Sequence, residues 1–437
     1  EEVCPKNDGD EIYILGNPPY LGSSMQNETQ KQELEDNCMG IKTFKNLDYI
    51  AIWFLKSSKY IKLINAKFAF VTTKSITQGE QVEMLWPSIF NQKLEIFFAH
   101  QSFKWSNNAK DKAGVVVAII GLRNITLSKK HLYINGIRKE VNNINPYLVA
   151  SSNIIINKHK KPISGFTNMV YGNKSTDNGY LILSKNERND LLTNYPNSIK
   201  FIKKLVGSNE LINSVDRWCL WIEDKDLEEA RKIEPINNRL IKISEWRKTS
   251  KAECTVKFAE YPNKFKQITY RSTSSIVIPR VSSERRKYIP FGFVDENTIV
   301  LDSAQAVYVP SAFIFGVITS LMHNLWVKAV AGYLGTSIRY SSVLCYNTFP
   351  FPKILEKQKE EISELVFNIL DEREKHSQKT LAQLYDPDKM PEGLKKAHHN
   401  LDIAIEQCYR SKPFESDEER LEYLFKMYEE MTNKEEK

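Results

Sequence analysis

The stretch Ile14-Leu15-Gly16-Asn17-Pro18-Pro19-Tyr20 (ILGNPPY) is an apolar run that breaks into two prolines and an aromatic ring. Residues 12–15 have the apolar character of a short strand, so the prolines fall where the strand ends. Two successive prolines fix φ and remove two amide donors, which makes the loop rigid and leaves the carbonyl of Pro18 free to face a cleft. Asn17 adds a side-chain carbonyl acceptor, and Tyr20 adds a flat aromatic face. Two acceptors beside a stacking platform match an amino group on a planar ring.

This arrangement suits methyl transfer to the exocyclic amine of adenine. The lone pair of that amine is delocalised into the ring, and two acceptors that hold its hydrogens favour the tetrahedral geometry in which it can attack. The methyl donor would be the sulfonium of S-adenosylmethionine, held at the carboxyl ends of the same strands. We therefore assign catalytic roles to Asn17, Pro18, Pro19 and Tyr20, and place Asn17 against the cofactor as well. The simpler alternative is a proline-rich turn whose tyrosine is only packed.

Apolar periodicity places this loop in an α/β sheet. Residues 47–63 carry apolar side chains at helical spacing, and residues 80–90 form a second predicted helix. Further strands are predicted over residues 66–71 (AKFAFV), 94–99 and 114–122 (GVVVAIIGL). The resulting order, strand-helix-strand-helix-strand-strand, predicts one half of an α/β sheet.

The composition and the apolar periodicity of the sequence change twice after this region. Short predicted strands and turns rich in Asn, Ser and Lys begin near residue 124, and a charged helical pattern begins after Pro352. We therefore predict three units, over residues 1–123, 124–352 and 353–437. Residues before Lys353 contain 46 Lys and Arg against 33 Asp and Glu, whereas the remainder contains 15 against 21. The basic part is the expected partner of a polyanion.

The composition excludes several classes of protein. With 41% hydrophobic and 26% charged residues the chain is globular in type, and no apolar stretch reaches the roughly 18 residues of a membrane span. The six cysteines form no Cys-x-x-Cys pair, and His398-His399 is expected to be a solvated pair, so no metal site is predicted. A reducing cytoplasm fits best. The first residue is Glu1 and not Met, which suggests a piece of a longer protein.

Two further segments are candidates for contact with a substrate. Gln78 lies in Thr77-Gln78-Gly79-Glu80, which begins a helix whose N-terminus could touch DNA or cofactor, with ordinary capping by Thr77 as the alternative. Phe103, Trp105 and Asn107 lie in SFKWSNNA just before a predicted strand. An aromatic ring there could close over an extruded base, or simply pack in the core.

The stretch from Trp246 to Phe293 interleaves basic and aromatic residues, in WRKTSK, KFKQITYR and PRVSSERRKY. This mixture suits phosphates and stacked bases, although a solvated basic face has the same composition. The candidate DNA-binding residues here are Arg280, Arg285, Arg286 and Lys287.

Several segments spread over nearly the whole chain carry a family resemblance. They are LGNPPYLGS, LDYIAIWFLKSSKYI, AFVTTKSITQGEQVEMLWPSIF, FAHQSFKWSNNAKDKAGVVVAIIGL, RWCLWI, VSSERRKYIPFGF, RYSSVLCYNTFPFP and DPDKMPEGLKKAHHNLDIAIEQCY. In this order they resemble the C-terminal half of the MmeI-like type IIL restriction-modification enzymes. The resemblance implies a partial class I S-adenosylmethionine-dependent methyltransferase sheet (α/β), then a mixed α+β target recognition domain and a helical C-terminal unit. It also implies a bacterial, adenine-specific DNA methyltransferase that extrudes its target base from double-stranded DNA.

The resemblance assigns the loop GYLGTSIRYS, residues 332–341, to sequence reading in the major groove. The candidate reading residues are Thr336, Ser337, Ile338 and Arg339. An arginine that pairs with guanine through two hydrogen bonds contributes about 1–3 kcal/mol of discrimination. Relatives usually carry a basic and an acidic residue where Tyr333 and Gly335 stand, so a different base preference is predicted here.

The relatives bind S-adenosylmethionine through a glycine-rich motif before the NPPY loop, and residues 1–16 contain no Gly-x-Gly. The nuclease motif is absent too. We therefore expect an incomplete cofactor pocket and a dependence on missing N-terminal methyltransferase and nuclease regions of the same polypeptide. One alternative is a non-catalytic DNA-recognition fragment. Another is methylation of a protein glutamine amide, a reaction that NPPY also serves but that the long basic domain argues against.

Overall fold

The computed structural model describes residues 9–105 and 115–435 of the chain. Its first unit is built on a six-stranded sheet. The elements of this unit are β1 (Ile12–Gly16), α1 (Glu28–Asn37), α2 (Ala51–Ile61), β2 (Ala66–Thr73), α3 (Gly79–Phe90), β3 (Leu94–Trp105), β4 (Val115–Asn124), β5 (Lys130–Ile134) and β6 (Ile137–Val141). The predicted alternation of strands and helices is confirmed.

The strands nearest the NPPY loop run in one direction. β1 and β2 pair in parallel, with Gly16 opposite Phe70, and β4 lies antiparallel between β2 and β3. β3 is therefore parallel to β1 and β2. The carboxyl ends of all three strands meet at one edge of the sheet, which we call the catalytic edge.

An aromatic cluster fixes α2 and α3 over the sheet. The ring centroid of Phe54 in α2 lies 5.7 Å from that of Phe68 and 5.5 Å from that of Phe70, both in β2. It also lies 6.3 Å from the ring centroid of Trp86 in α3. All four side chains are buried. Large aromatic groups contribute much of the apolar area removed from water, so this cluster holds both helices against the strands.

β5 and β6 extend the first sheet beyond residue 123. β5 pairs in parallel with β3 and antiparallel with β6. These residues were predicted to belong to the second unit because the segment after Asn124 is polar. An edge hairpin with a solvated face needs few apolar residues, so polarity did not mark a domain boundary here. We propose that the first unit ends after Val141.

The second unit is mixed, as predicted. Its strands are β7 (Met169–Tyr171), β8 (Ile182–Leu183), β9 (Ile202–Val206), β10 (Trp218–Leu220), β11 (Ser275–Pro279), β12 (Val281–Ser283), β13 (Gly292–Val294), β14 (Thr298–Val300), β15 (Ala304–Tyr308), β16 (Gly332–Leu334) and β17 (Ser337–Arg339). They form three small sheets, in the orders β14-β9-β10-β8, β13-β11-β15-β7 and β12-β17-β16. Its helices are α4 (Lys185–Asn194), α5 (Ser208–Asn213), α6 (Leu227–Arg231), α7 (Glu234–Lys248), α8 (Glu253–Lys257), α9 (Ala312–Thr319) and α10 (Leu321–Val330).

A buried arginine organises part of this unit. Arg247, in α7, is fully buried, although the basic stretch around it was predicted to bind DNA. Its guanidinium donates to five backbone carbonyls in two segments of the chain, at distances of 2.8–3.4 Å. The carbonyls are those of Ser175, Thr176, Phe258, Tyr261 and Lys264. Burial lowers the pKa of Arg247. The five donors of a guanidinium can satisfy several carbonyls at once, so this charge serves the fold and not a polyanion.

The third unit is helical, as predicted, and shares a core with the other two. Its helices are α11 (Glu356–Glu374), α12 (Leu381–Leu384), α13 (Glu392–Tyr409) and α14 (Asp417–Glu435). The ring of Phe425 in α14 lies 5.1 Å from that of Trp326 in α10 and 5.1 Å from that of Tyr147. One continuous cluster of buried apolar side chains includes members of all three units.

His398 is buried, so the expectation of a solvated histidine pair was wrong for this residue. Its imidazole is hydrogen-bonded to the hydroxyl of Tyr385 at 2.8 Å and stacks on the ring of Tyr288 at 4.2 Å between centroids. Burial lowers the pKa of His398 well below its ordinary value. His399 is exposed. Adjacent residues of a helix face different directions, and only one of the two histidines lies on the inner face of α13.

Within residues 9–105 and 115–435, no single helix is long and apolar enough to cross a bilayer. The pair α9 and α10 would satisfy length and composition together, with a bend of 56° between them.

We predict that Arg247→Lys lowers the free energy of unfolding by about 2–4 kcal/mol, because an ammonium group cannot reach all five carbonyls and leaves some unsatisfied. Urea denaturation followed by circular dichroism measures this change. Lys248→Met is the control, since Lys248 is exposed on the same helix and should change stability by less than about 0.5 kcal/mol. Equal effects of the two substitutions would contradict the structural role of Arg247.

Candidate functional site

Three segments of the first unit lie at the catalytic edge. The NPPY loop follows β1, a 3-10 turn (Lys74–Thr77) follows β2, and Phe103 and Trp105 are at the end of β3. Thr73 and Phe103 pair with Val117 of β4 from opposite sides, so β2 and β3 end at nearly the same level. The structure thus places the predicted catalytic loop on the same edge as the segments that hold Gln78, Phe103 and Trp105.

The NPPY loop presents its polar side chain and part of its aromatic ring. Pro18 is buried, Pro19 and Asn17 are exposed, and Tyr20 is half-buried against the core. The Asn17 carboxamide makes no hydrogen bond with another described residue. It is therefore available to a ligand, while the buried proline anchors the loop.

Buried polar groups hold the backbone just after Tyr20. The Leu21 amide donates to Oδ1 of Asp48 at 2.9 Å, and its carbonyl accepts from Nε2 of Gln26 at 2.9 Å and from the Tyr49 amide at 3.0 Å. Asp48 and Gln26 are both buried. A hydrogen bond to a carboxylate is stronger than one between neutral groups, so the loop is held firmly on this side.

Sequence reasoning missed Asp48 and Gln26. The observed helix α2 begins at Ala51, whereas residues 47–63 were predicted to be helical. Asp48 therefore lies in the turn before the helix, where an acidic residue is a common start signal. That signal indicates a boundary but does not reveal which loop the carboxylate holds.

Gln78 is buried and not displayed on the surface. Its side chain is 4% exposed, and Nε2 has no hydrogen-bond partner in the described part of the chain. Capping of α3 by Thr77, the alternative, is wrong because the Thr77 hydroxyl donates back to the Lys74 carbonyl at 2.9 Å. A buried donor without a partner is costly, so Gln78 retains the capacity to bind a group that enters at this edge.

The aromatic candidates at the end of β3 differ in what the structure describes. Phe103 is 37% exposed and follows an irregularity in the pairing of β3 with β4. Trp105 is the last residue of β3, and its side chain lies outside the described part of the structure. Asn107 lies outside the described residues altogether.

Two of the four basic candidates in the second unit are engaged within the protein. Arg280 is half-buried, donates to the Asp302 carbonyl at 2.9 Å and lies over the ring of Tyr171. Arg286 is half-buried and donates to the Ser282 hydroxyl at 3.3 Å, and burial lowers its pKa.

The other two basic candidates are exposed. Arg285 forms an ion pair with Asp388 of the third unit at 2.5 Å, and both side chains are mostly accessible to solvent. Lys287 is exposed, with its ammonium 5.1 Å from the centroid of the Tyr288 ring. Exposed pairs are weak, so a phosphate can compete for Arg285.

β16 and β17 form a hairpin, residues 332–339, and β12 pairs with the outer side of β17. We call it the reading hairpin because it carries the candidate base-reading residues. Thr336 and Arg339 are exposed, and Ser337 is half-buried. Ile338 is fully buried in the core, so its candidacy as a base-reading residue was wrong. Alternate residues of a strand face opposite sides, which places Ser337 and Arg339 on one face and Ile338 on the other. Arg339 makes no ion pair with the other described residues.

Where the structure describes the chain, no group of three or more His, Cys, Asp or Glu residues is arranged to hold a metal ion.

Comparison with known proteins gives matches along nearly the whole chain. Residues 1–134 match the family model for the DNA-methyltransferase domain of MmeI. Residues 150–353 match that for the MmeI target recognition domain, and residues 354–435 match that for the MmeI C-terminal domain.

Individual relatives agree with these models. The chain is 44% identical to DNA methyltransferase A of Bacillus subtilis (strain 168) over 434 residues, which are 99% of this chain and 49% of the relative. A solved structure of the type IIL restriction-modification enzyme MmeI in complex with DNA is 39% identical, with a TM-score of 0.85 over 97% of this chain and 57% of that chain. The chain thus spans about half the length of these proteins. Because the three models match consecutive segments in the same order, the chain belongs to the MmeI-like family of type IIL restriction-modification enzymes.

Proposed function

We propose that this chain is the catalytic-loop part and target recognition domain of a sequence-specific DNA adenine methyltransferase from a type II restriction-modification enzyme. The observation that carries the proposal is the NPPY loop at the catalytic edge, where the Asn17 carboxamide has no hydrogen-bond partner among the described residues and part of the Tyr20 ring is accessible. The family match supports it, since the MmeI structure was solved in complex with DNA.

The NPPY loop would act on a base rotated out of the duplex. The extruded adenine stacks on Tyr20, and its exocyclic amine donates to the Asn17 side-chain oxygen and the Pro18 carbonyl. Extrusion costs a few kcal/mol, which stacking and these hydrogen bonds offset. When bound, S-adenosylmethionine supplies the methyl group as its carbon–sulfur bond breaks, which leaves a neutral thioether. The methylated nitrogen then releases one of its protons to solvent. The two acceptors also stabilise the positive charge that develops on the nitrogen during transfer, so no general base is needed beforehand. Phe103, Trp105 and Gln78 are proposed to contact the base from the neighbouring strand ends.

The second unit would bind duplex DNA in two ways. Lys287 and Arg285 present exposed cations to backbone phosphates, whereas Arg286 and Arg280 make hydrogen bonds within the protein. The reading hairpin presents Thr336, Ser337 and Arg339 to base edges in the major groove. Phosphate contacts set affinity and position, whereas base contacts set sequence preference.

The described residues fit one side of a cofactor pocket. Asn17 provides an acceptor there, but the described part of the sheet has no strand on the outer edge of β1, where Tyr13 is 58% and Leu15 is 75% exposed. An open edge with large apolar side chains favours pairing with a further strand. We propose that N-terminal methyltransferase regions of the same polypeptide cover this edge and complete the pocket, with a nuclease region before them. The setting proposed is the bacterial cytoplasm.

The open edge of β1 also favours a second candidate function. If the missing regions never form a pocket with this chain, it would be a non-catalytic DNA-recognition fragment. Methylation of a glutamine amide remains a weaker candidate, because the exposed cations of the second unit have no role in it.

Cofactor binding separates the first two candidates. We predict that the isolated chain shows no saturable heat with micromolar S-adenosylmethionine in isothermal titration, whereas the full-length protein binds it. The reason is that half of a sheet provides half of the pocket. Binding by the isolated chain would contradict the proposed division of the pocket, and absence of binding by the full-length protein would favour the non-catalytic alternative.

Asn17→Ala should reduce the methyl-transfer rate of the full-length protein by roughly 10²–10³-fold and leave its affinity for duplex DNA nearly unchanged, because it removes one preorganised acceptor. Tyr20→Ala should weaken base capture by about 1–3 kcal/mol, while Tyr20→Phe keeps the ring and should retain capture. Single-turnover assays measure the rate, and 2-aminopurine fluorescence reports extrusion. Retention of more than about a tenth of the activity by Asn17→Ala would count against its assigned role.

The two DNA contacts should respond differently to substitution. Lys287→Gln should weaken binding to all sequences and reduce the salt slope by about 1, with Lys357→Gln, an exposed change in the acidic third unit, as control. Arg339→Ala or Thr336→Ala should instead change the preferred base at one position, at a cost of about 1–3 kcal/mol in discrimination. Salt-dependent anisotropy and sequencing of methylated sites measure the two effects. If the hairpin variants methylate the original sequence and Lys287→Gln methylates a different one, the roles assigned to the two regions are reversed.

A further inference from the structure

A buried carboxylate connects two loops of the catalytic edge. Oδ1 of Asp48 accepts from the Leu21 amide at 2.9 Å, directly after the NPPY loop, and from the Ile50 amide at 3.3 Å. Oδ2 accepts from the Ser75 hydroxyl at 3.0 Å, in the turn that follows β2. Asp48 is 6% exposed. One side chain therefore fixes the loop after β1 relative to the turn after β2.

Gln81, in the first turn of α3, reinforces this connection. Its side-chain oxygen accepts from the Asp48 amide at 2.9 Å, and its Nε2 donates to the Asn46 carbonyl at 2.6 Å. Both ends of residues 75–81 are thus tied to the turn that contains Asp48. The segment between them cannot move independently of the catalytic loop without breaking these hydrogen bonds.

The same segment touches the reading hairpin through two glycines. Gly79 has φ of +55°, and a Cβ built on it would lie 2.9 Å from Cα and 3.1 Å from N of Gly332, the first residue of β16. A real Cβ atom is essentially never found so close to a backbone atom. The glycine at position 79 is therefore what permits the start of α3 to lie directly against the hairpin that carries Thr336 and Arg339.

Side chains around the contact between the two glycines also interact across it. The ammonium of Lys74 lies 4.6 Å from the centroid of the Tyr333 ring in β16, and the Tyr333 hydroxyl donates to the Lys328 carbonyl at 3.0 Å. Glu80, next to Gly79, forms an ion pair with Lys158 of the second unit at 2.8 Å. Backbone, cation–π and ionic contacts thus converge on the start of α3.

We propose that Asp48 and Gly79 are positioning residues that fix the offset between the base pairs read by the hairpin and the base presented to the NPPY loop. The path of contacts runs from Leu21 through Asp48 and Ser75 to Gly79 and Gly332. This inference rests on the proposed function. A methyltransferase must deliver the target base to within a few tenths of an ångström of the reacting geometry, and a misplacement of about 1 Å can reduce the rate 10²-fold.

The test uses Gly79→Ala and Asp48→Asn in the full-length protein. The alanine methyl would push the hairpin away from α3, and the asparagine keeps the volume but removes the second carboxylate acceptor from Ser75. Gly136→Ala is the matched control, because Gly136 also has positive φ (+82°) but its added Cβ meets nothing within 4 Å. Its hairpin, made of β5 and β6, lies at the far edge of the sheet, beyond β3.

Single-turnover methylation, the dissociation constant for duplex DNA, the melting temperature and the methylated sequence are measured for each protein. We expect both test variants to lose at least about tenfold in methylation rate. Their dissociation constants for duplex DNA should change by less than about threefold, and the methylated sequence should stay the same. Gly136→Ala should keep the wild-type rate within about threefold.

Three outcomes would overturn the proposal. In the first, both test variants keep the wild-type methylation rate. In the second, both lose rate together with an equal loss of DNA affinity or a large fall in melting temperature. In the third, Gly136→Ala loses as much methylation rate as the test variants. Failure of the proposed function is distinct, because the wild-type protein itself would then methylate no DNA.

Discussion

β1, β2 and β3 run in the same direction, and this constraint places every candidate catalytic segment at one edge of one sheet. A parallel strand must deliver its carboxyl end to the same side as its neighbour, so loops that are far apart in sequence become neighbours in space. The NPPY loop, the turn after β2 and the aromatic end of β3 are brought together in this way. Asp48 then removes the freedom that remains between the first two loops.

The reading hairpin is held to this edge by a contact that only glycine allows. Position 79 combines a left-handed backbone conformation with the approach of another backbone to its missing Cβ. Both conditions select for glycine independently. A core common to the three units also holds the units together, since Trp326 of the second unit packs on Phe425 of the third. The segments proposed for recognition and for chemistry are therefore parts of a single packed structure.

Much of the fold could be predicted from the sequence. Periodic apolar runs predicted four strands and two helices of the first unit, although not α1, and the charged helical pattern predicted the third unit. The hairpin of β5 and β6 extends the first sheet, although the first unit was predicted to end at residue 123, because an edge hairpin can be as polar as a loop. The side-chain environment of single polar residues was the least predictable feature. Arg247 and His398 look like surface residues in sequence, yet each is buried with partners that come from elsewhere in the chain.

The same limit applies to the candidate site. The chemistry proposed for Asn17 and Tyr20 rests on their own side chains and the prolines between them, so sequence alone suggests it. Asp48 and Gly79 act through contacts at sequence distances of 27 and 253 residues, and no local pattern records such contacts. Ile338 was misjudged for a related reason, since the face of a short strand that is buried depends on which layer covers it.

The most direct test of this account is a structure of the full-length protein with its duplex site and a non-reactive analogue of S-adenosylmethionine. We predict one adenine rotated out of the duplex, with its exocyclic nitrogen about 2.7–3.2 Å from the Asn17 side-chain oxygen and its ring against Tyr20, while Arg339 lies in the major groove. A fully stacked duplex at the NPPY loop, or a reading hairpin that lies outside the groove, would contradict it.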